Sequence, residues 1–449
     1  MLISARRISS STRRVPDRRS LRSLGSGGAA ALLLATIFAL PSFAQADGVS
    51  ASCDRVAAPS GSDSAAGTVA APLRTAQALA NALAPGQVGC LRAGSYGGGL
   101  RVNHGGNAGA PLTLRSYPGE QAQITGRFYI PRGSDYVTIA DLHLNGNLQS
   151  GQPLPSPSIN ANHATFEGDD VTNEHTEICF DIGSETWGAA DSTVLAGNRI
   201  HDCGVLPSTN EDHGIYLQDA TNTHIVGNLI DHNADRGIQF YPSAQGSVVT
   251  GNVIAANGEG LDFSGDYGVA SNGNVVEHNL IVGSTIRHDV ESWYPAGNPI
   301  GVGNVVQNNC LSTRGVSTLG GGFTARANVT ASSAELLGGE GGNYQPAPGS
   351  TCAAVVAGLS TPSTEGARSG GAPNPKEVAV GTTPAAGSDT VTGSGQGVLG
   401  GAAQQQPTHG HAAQHRRRAR SAKRADAKLH KHAHAVRKRS RALRSKASK

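Results

Sequence analysis

The chain has 449 residues, 60 of them Gly, with 4% aromatic and 15% charged side chains, six Cys and a formal net charge of +3. That small sum hides three unlike segments. Residues 1–46 carry seven Arg and one Asp, residues 409–449 carry 15 Lys and Arg against Asp426, and residues 47–408 hold 14 basic and 31 acidic side chains, a net of −17. A single electrostatic character for the whole chain is therefore excluded: an acidic body is joined to a basic tail.

In chain order, the first signal is an apolar run of 12 residues, 29–40, behind an Arg-rich leader and before Ala44-Gln45-Ala46. The run is too short to span a bilayer and has the form of a secretory signal peptide over 1–46, so the mature chain is expected to start near Asp47. Arg18-Arg19-Ser20-Leu21 does not decide between the general and the twin-arginine export routes. Six cysteines in an exported chain can all be bridged. Fifteen pairings are open by counting; the sequence-local choice is Cys53 with Cys90 and Cys310 with Cys352, which leaves Cys179 with Cys203.

Residues 47–71 form a Ser-, Ala- and Gly-rich N-terminal arm. Pro72 to Ala84 then reads as a short helix with Ala76, Leu79, Ala80 and Leu83 on one face. Short apolar strands divided by Gly, Pro and Asn turns follow. Between Thr193 and Leu311 the chain repeats itself five times, with Asn198, Asn228, Asn252, Asn279 and Asn309 in register at steps of 30, 24, 27 and 30 residues. An apolar residue stands three positions before each Asn (Leu195, Ile225, Val249, Val276, Val306). Another stands two after it (Ile200, Ile230, Ile254, Ile281, Leu311). Each unit is too short to bury its own face, so the core must form by stacking on neighbours. The Asn row is expected to be structural, its side chains satisfying one another and the corner backbone.

These repeats, with the run from Pro85 to Asn147 before them, resemble the right-handed parallel β-helix superfamily, the architecture of pectate lyases and many secreted polysaccharide-acting proteins. The resemblance implies an all-β, single-domain solenoid over 72–358, with a short N-terminal capping helix to cover its open end. It is specific for fold and weak for reaction.

A second repeated set, Ile215-Tyr216-Leu217, Ile238-Gln239-Phe240, Leu261-Asp262-Phe263 and Val290-Glu291-Ser292, alternates with the period of a strand. The middle residues Tyr216, Gln239, Asp262 and Glu291 are then expected in one outward, solvent-facing column. His213, Arg236, Glu259 and His288 lie three positions earlier at the bend. With rungs about 4.8 Å apart, these residues form a patch roughly 15–20 Å long, enough for a few sugars.

Uronate β-elimination needs a cation, a base and an acid. Arg236 suits the first role, and His213 and Tyr216 the other two. Asp262 and Glu291, neighbours on adjacent rungs, suit a hard cation such as Ca²⁺, the one cofactor the sequence suggests. Hydrolysis would instead use a carboxyl pair drawn from Glu259, Asp262, Asp266 and Glu291. Seven residues inserted at Val205–Glu211 would wall a groove beside His213 and Tyr216. Trp293, Tyr294 and Tyr241 serve equally as sugar platforms or as loop packing. A second polar set, His201-Asp202 and Asp231-His232, reads as turn chemistry.

No catalytic residue can be carried over from a β-helix enzyme family. Lys376, in the linker, is the only Lys between 47 and 408. Asp169-Asp170 and His213-Gly214 lack the partners of the pectin-hydrolase series, and the Asp-Pro-His motif of alginate epimerases is missing. On the expectation that Arg236 and His213 are exposed, Ala there would cost activity and not stability.

Residues 359–408 form a flexible Gly-, Ser- and Pro-rich linker, and 409–449 a disordered tail with six His and 15 basic side chains, suited to anionic cell-wall polymers or other polyanions. The function expected is that of an exported monomer that binds or acts on an extracellular polysaccharide, by lyase-type β-elimination if it is an enzyme. The alternative is a non-catalytic surface or adhesion protein anchored by its tail.

Overall fold

The computed structural model describes residues 52–147, 154–331, 336–337 and 344–356. The expected leader, linker and basic tail lie outside the described residues.

The repeat becomes three long parallel sheets that share one interior. Sheet 1 has 11 strands in sequence order, from Arg55–Ala57 through Val194–Ala196, His224–Val226 and Val248–Thr250 to Phe323–Arg326. Sheet 2 has 10, from Gly94–Tyr96 through Arg199–His201 and Leu229–Asp231 to Val329–Thr330. Sheet 3 carries the longest strands, Ile215–Thr221, Arg236–Gln245 and Glu259–Asp266, and ends on Val290–Trp293. Each turn of chain thus adds one strand to each sheet.

Both predicted apolar rows face inward. Leu195, Ile225, Val249, Val276 and Val306 line sheet 1, and Ile200, Ile230, Ile254, Ile281 and Leu311 line sheet 2, all buried in one core. Sheet 3 adds aromatic stacking, with Phe240 on Phe263 at 5.0 Å and 6°. Part of the arm belongs to the solenoid: Arg55–Ala57 pairs in parallel with Gly89–Leu91. The capping helix is shorter than the pattern suggested, Ala76–Ala82, because Thr75 stops it as N-cap by accepting from the Ala78 amide. Its Leu79 and Leu83 sit so close to Gly89 that a Cβ there would lie 3.1 and 2.8 Å from them, so a larger residue would push these side chains aside where the cap seats on sheet 1.

The Asn row is a continuous buried ladder. The backbone N–H and Nδ2 of each Asn donate to Oδ1 of the next, from Asn198 through Asn228, Asn252 and Asn279 to Asn309, at 2.9–3.0 Å. Nδ2 also donates to a backbone carbonyl of the previous turn, as from Asn252 to Ile225. Asn328 extends the ladder at one end, and at the other the Asp169 amide donates to Asn198. Asn252→Ala would strand donors and acceptors on both sides. The expected loss is about 1–3 kcal/mol, read from urea denaturation midpoints.

All six cysteines pair as expected: Cys53–Cys90, Cys179–Cys203 and Cys310–Cys352. The last ties helix Thr351–Val355 onto the outside of sheet 2, where Tyr344, Cys352 and Val356 cover the outward residues Leu229, Val253 and Leu280.

Candidate functional site

The outward side of sheet 3 places the candidate residues. Tyr216 pairs in register with Gln239, Gln239 with Asp262 and Asp262 with Glu291, so the expected column exists. It also runs further than the repeats revealed, back through Asp181 and Ser158 to Tyr129 and Arg101.

Its exposure differs from the expectation. His213, Tyr216, Arg236, Gln239, Glu259 and Asp262 are all buried, Arg236 at 3% and Asp262 at 0% exposure, while His288 and Glu291 are partly exposed. Strand alternation only decides that these side chains leave the core; here they are covered from outside. The insertion is one cover. The Asn210 carbonyl accepts from Arg236 Nη1 at 3.2 Å, Asn210 Oδ1 accepts from Arg287 Nη2 at 2.9 Å, and the Glu211 and Asp212 amides donate to Asp235 Oδ2. The loop thus lies against the column instead of standing beside a groove.

Beneath it lies an ionic cluster. Arg236 Nε is 2.9 Å from Glu259 and 3.5 Å from Asp262, while Arg287 reaches Glu259 and Glu291 at 3.0 Å each and His288 meets Glu291 at 3.0 Å. Burial pushes the Glu259 carboxyl well up, against the pull of Arg236, and pushes Asp262 up against Arg236, Ser264 and Gln239. Burial acts to lower the Arg236 guanidinium, but Glu259 and Asp262 outweigh it and hold it above its ordinary value. Three carboxyls share two guanidiniums. At Asp262 and Glu291 a dication would meet Arg236 and Arg287 already in place, so the two carboxylates are occupied by guanidiniums. Among the described residues no group of three or more His, Cys, Asp and Glu is arranged to hold one.

In the other half of the column Asp181 and Arg101 are partly exposed, while Tyr129, Ser158 and Tyr216 are buried. Half-buried Asp181 accepts from Gln218 Nε2 at 2.7 Å, and burial pushes its carboxyl up to about 7, against Gln218 and Arg127. Its neighbour Tyr216 is held well above its ordinary value by burial and by the Asp181 charge. The Tyr216 ring stacks on Tyr241 at 6.1 Å and lies 5.5 Å from His213. Arg101 and Arg127 each lie 4.7 Å from the centroid of the Tyr129 ring. Asp181 escaped sequence reasoning because its strand, Phe180–Ile182, precedes the Asn-anchored repeats; only the Phe-Asp-Ile alternation marked it. Of the suggested platforms, Tyr241 packs on Tyr216 and donates to Asp266 at 3.0 Å, while Trp293 and Tyr294 are half-buried.

The set at His201 is an ion-paired network on sheet 2. His201 lies between Asp170 at 2.8 Å and Asp202 at 2.7 Å, with His143 on Asp170, His175 on Asp202, and Arg199 and His232 on Asp231. Burial lowers the His201 imidazole, but the bonds to Asp170 and Asp202 overcome this and lift it to about 9. A folded pKa above the unfolded value of about 6.5 means stability present in full below 6.5 and lost as pH rises through 9. The destabilisation caused by His201→Gln should therefore be larger at pH 6 than at pH 10, as read from denaturation midpoints.

A family profile described as the right-handed β-helix region matches residues 132–330. Pectate lyase PEL9 of Emericella nidulans is 26% identical over 259 residues, 55% of this chain and 51% of that protein. The uncharacterized protein YwoF of Bacillus subtilis is 24% identical over 229 residues, 49% of this chain and 45% of that one. The chain thus spans about half the length of the curated relatives it matches. Among solved structures, pectate lyase Pel9A superposes with a TM-score of 0.50 at 16% identity, covering 67% of this chain and 91% of its own. Together with the three parallel sheets, these matches show that the chain has the right-handed parallel β-helix fold, and it is similar over part of its length to pectate lyases.

Proposed function

We propose that this is an exported protein, its leader removed, that acts on an acidic extracellular polysaccharide by β-elimination on the outward side of sheet 3. The observation that carries the reading is the unbroken row Arg101, Tyr129, Ser158, Asp181, Tyr216, which brings a cation, a carboxyl titrating near 7 and two phenols onto consecutive turns, with Arg127 beside Tyr129. The likeness to PEL9 supports it, and three disulfides fit an oxidising compartment. Arg236 is buried and ion-paired, and the role of binding the uronate carboxylate falls to Arg127, whose charge acts on Asp181. Asp181 takes the proton at C5, the C4–C5 double bond forms as the C4–O bond breaks, and Tyr216, kept protonated, gives its proton to the leaving oxygen.

Purified protein incubated with a panel of polysaccharides, pectate and alginate included, should raise absorbance at 235 nm, the signature of unsaturated uronates. Reducing ends without that absorbance would indicate hydrolysis, and binding without either would leave a non-catalytic β-helix. The basic tail is assigned to anionic wall polymers, so added salt should release the protein from cell envelopes.

A further inference from the structure

Sheet 1, around the solenoid from the proposed catalytic row, carries a cavity of about 430 Å³ with a different chemistry. Its floor is the outward row Thr138, Thr165, Val194 and His224, paired in register on four successive turns. One wall is a corner where Tyr136, His163 and Ser192 hold left-handed φ of 57°, 55° and 56°. Repeated corner geometry sets those side chains in a second row. The Tyr136 and His163 rings stack face to face, 4.4 Å apart and 13° from parallel. At the same corner, one turn of chain before Tyr136, the turn Asn107–Ala110, closed by two backbone hydrogen bonds of 3.0 and 2.9 Å, ends the trough, with Gly109 and Pro111 in its lining.

The lining contains hydroxyls, an amide, imidazoles, a phenol ring, Val and Pro, and it contains no Lys, Arg, Asp or Glu. The carboxylates next to that corner are engaged, Asp135 by the Asn162 amide and Asp191 by Thr221, Ser192 and Asn222. A volume of this order is that of a small-ligand site. Hydroxyl and amide groups at the regular spacing of turns, beside an aromatic wall, suit a ligand with many hydroxyls and flat apolar ring faces. The absence of lining charge gives no reason for an acidic unit to prefer it.

We propose that this trough is a second carbohydrate site that binds a neutral oligosaccharide and holds the protein on a neutral polymer, apart from any turnover on sheet 3. It stands whether or not the row on sheet 3 is catalytic.

The test is calorimetric titration of the full-length protein with cellohexaose, xylohexaose and mannohexaose. At least one should bind. Thr165→Trp, which fills the floor, and His163→Ala, which removes the exposed half of the ring pair, should each weaken that binding about tenfold or more. Asp181→Asn should leave it unchanged. His163 lies on the surface, so its truncation tests the site even where the bulky Trp perturbs folding. Failure of all three sugars to bind would overturn the proposal. Undiminished binding by His163→Ala would also overturn it, and loss of binding in Asp181→Asn would place the sugar on sheet 3 instead.

Discussion

Replacing Arg236 with Ala is expected to cost roughly 3–5 kcal/mol of folding stability, the range for a buried ion pair that loses one partner. The guanidinium is 3% exposed, 2.9 Å from Glu259 and 3.5 Å from Asp262, and it also donates to the Asn210 carbonyl. Without it two buried carboxyls face each other with Arg287 as the remaining partner of Glu259. Both carboxyls already have folded values raised above their ordinary ones by burial. Removing Arg236 raises them further, so the unfolded chain ionises first and the deficit deepens as pH climbs above the ordinary carboxyl value of about 4. Denaturant midpoints of wild type and variant should lie closer together at pH 5 than at pH 7.5. A variant as stable as wild type at both pH values would show that the cluster is solvated and that the insertion does not cover it.

Asp181→Asn is expected to lower kcat/KM on the substrate found by the panel by about 100- to 10,000-fold, the usual contribution of a positioned proton-transfer group. The wild-type profile should rise with pH through about 7, where Asp181 loses its proton, and the variant should lose that limb. Stability should move in the opposite direction. A carboxyl whose folded pKa is raised from 3.8 to about 7 loses stability between those values as pH rises, so the neutral amide should be the more stable form above pH 7. Gln218, which donates to Asp181 at 2.7 Å, bonds the amide oxygen of Asn equally well, so the substitution changes charge and not shape. A profile unchanged by the substitution would remove Asp181 from the chemistry.

The sequence by itself determined the solenoid. The Asn register required units that stack, the two apolar rows around each Asn are the inward rows of sheets 1 and 2, and the local cysteine pairs are the disulfides. The register and the two rows are properties of a repeat, in which each residue's neighbours are its own counterparts one turn away, so spacing along the chain fixes contact in space; the disulfides followed from proximity in sequence. The column Tyr216, Gln239, Asp262, Glu291 was legible for the same reason.

Burial on the outside of the solenoid was decided only by the tertiary structure. Period-2 alternation tells inward from outward and is silent on what comes to lie over an outward residue. The Val205–Glu211 insertion follows no repeat, and its path across Arg236 and Arg287 turned an expected surface patch into a buried ionic cluster. In the same way the disulfide-tethered helix Thr351–Val355 buried the outward Leu229, Val253 and Leu280 on sheet 2. Asp181 gained its place beside Tyr216 from a turn that lacks the Asn signature, and its raised pKa from the cover it meets there. Covering segments join residues far apart in sequence at positions no periodicity encodes, and desolvation, which sets both the stability of the cluster and the proton affinity of Asp181, depends on that cover.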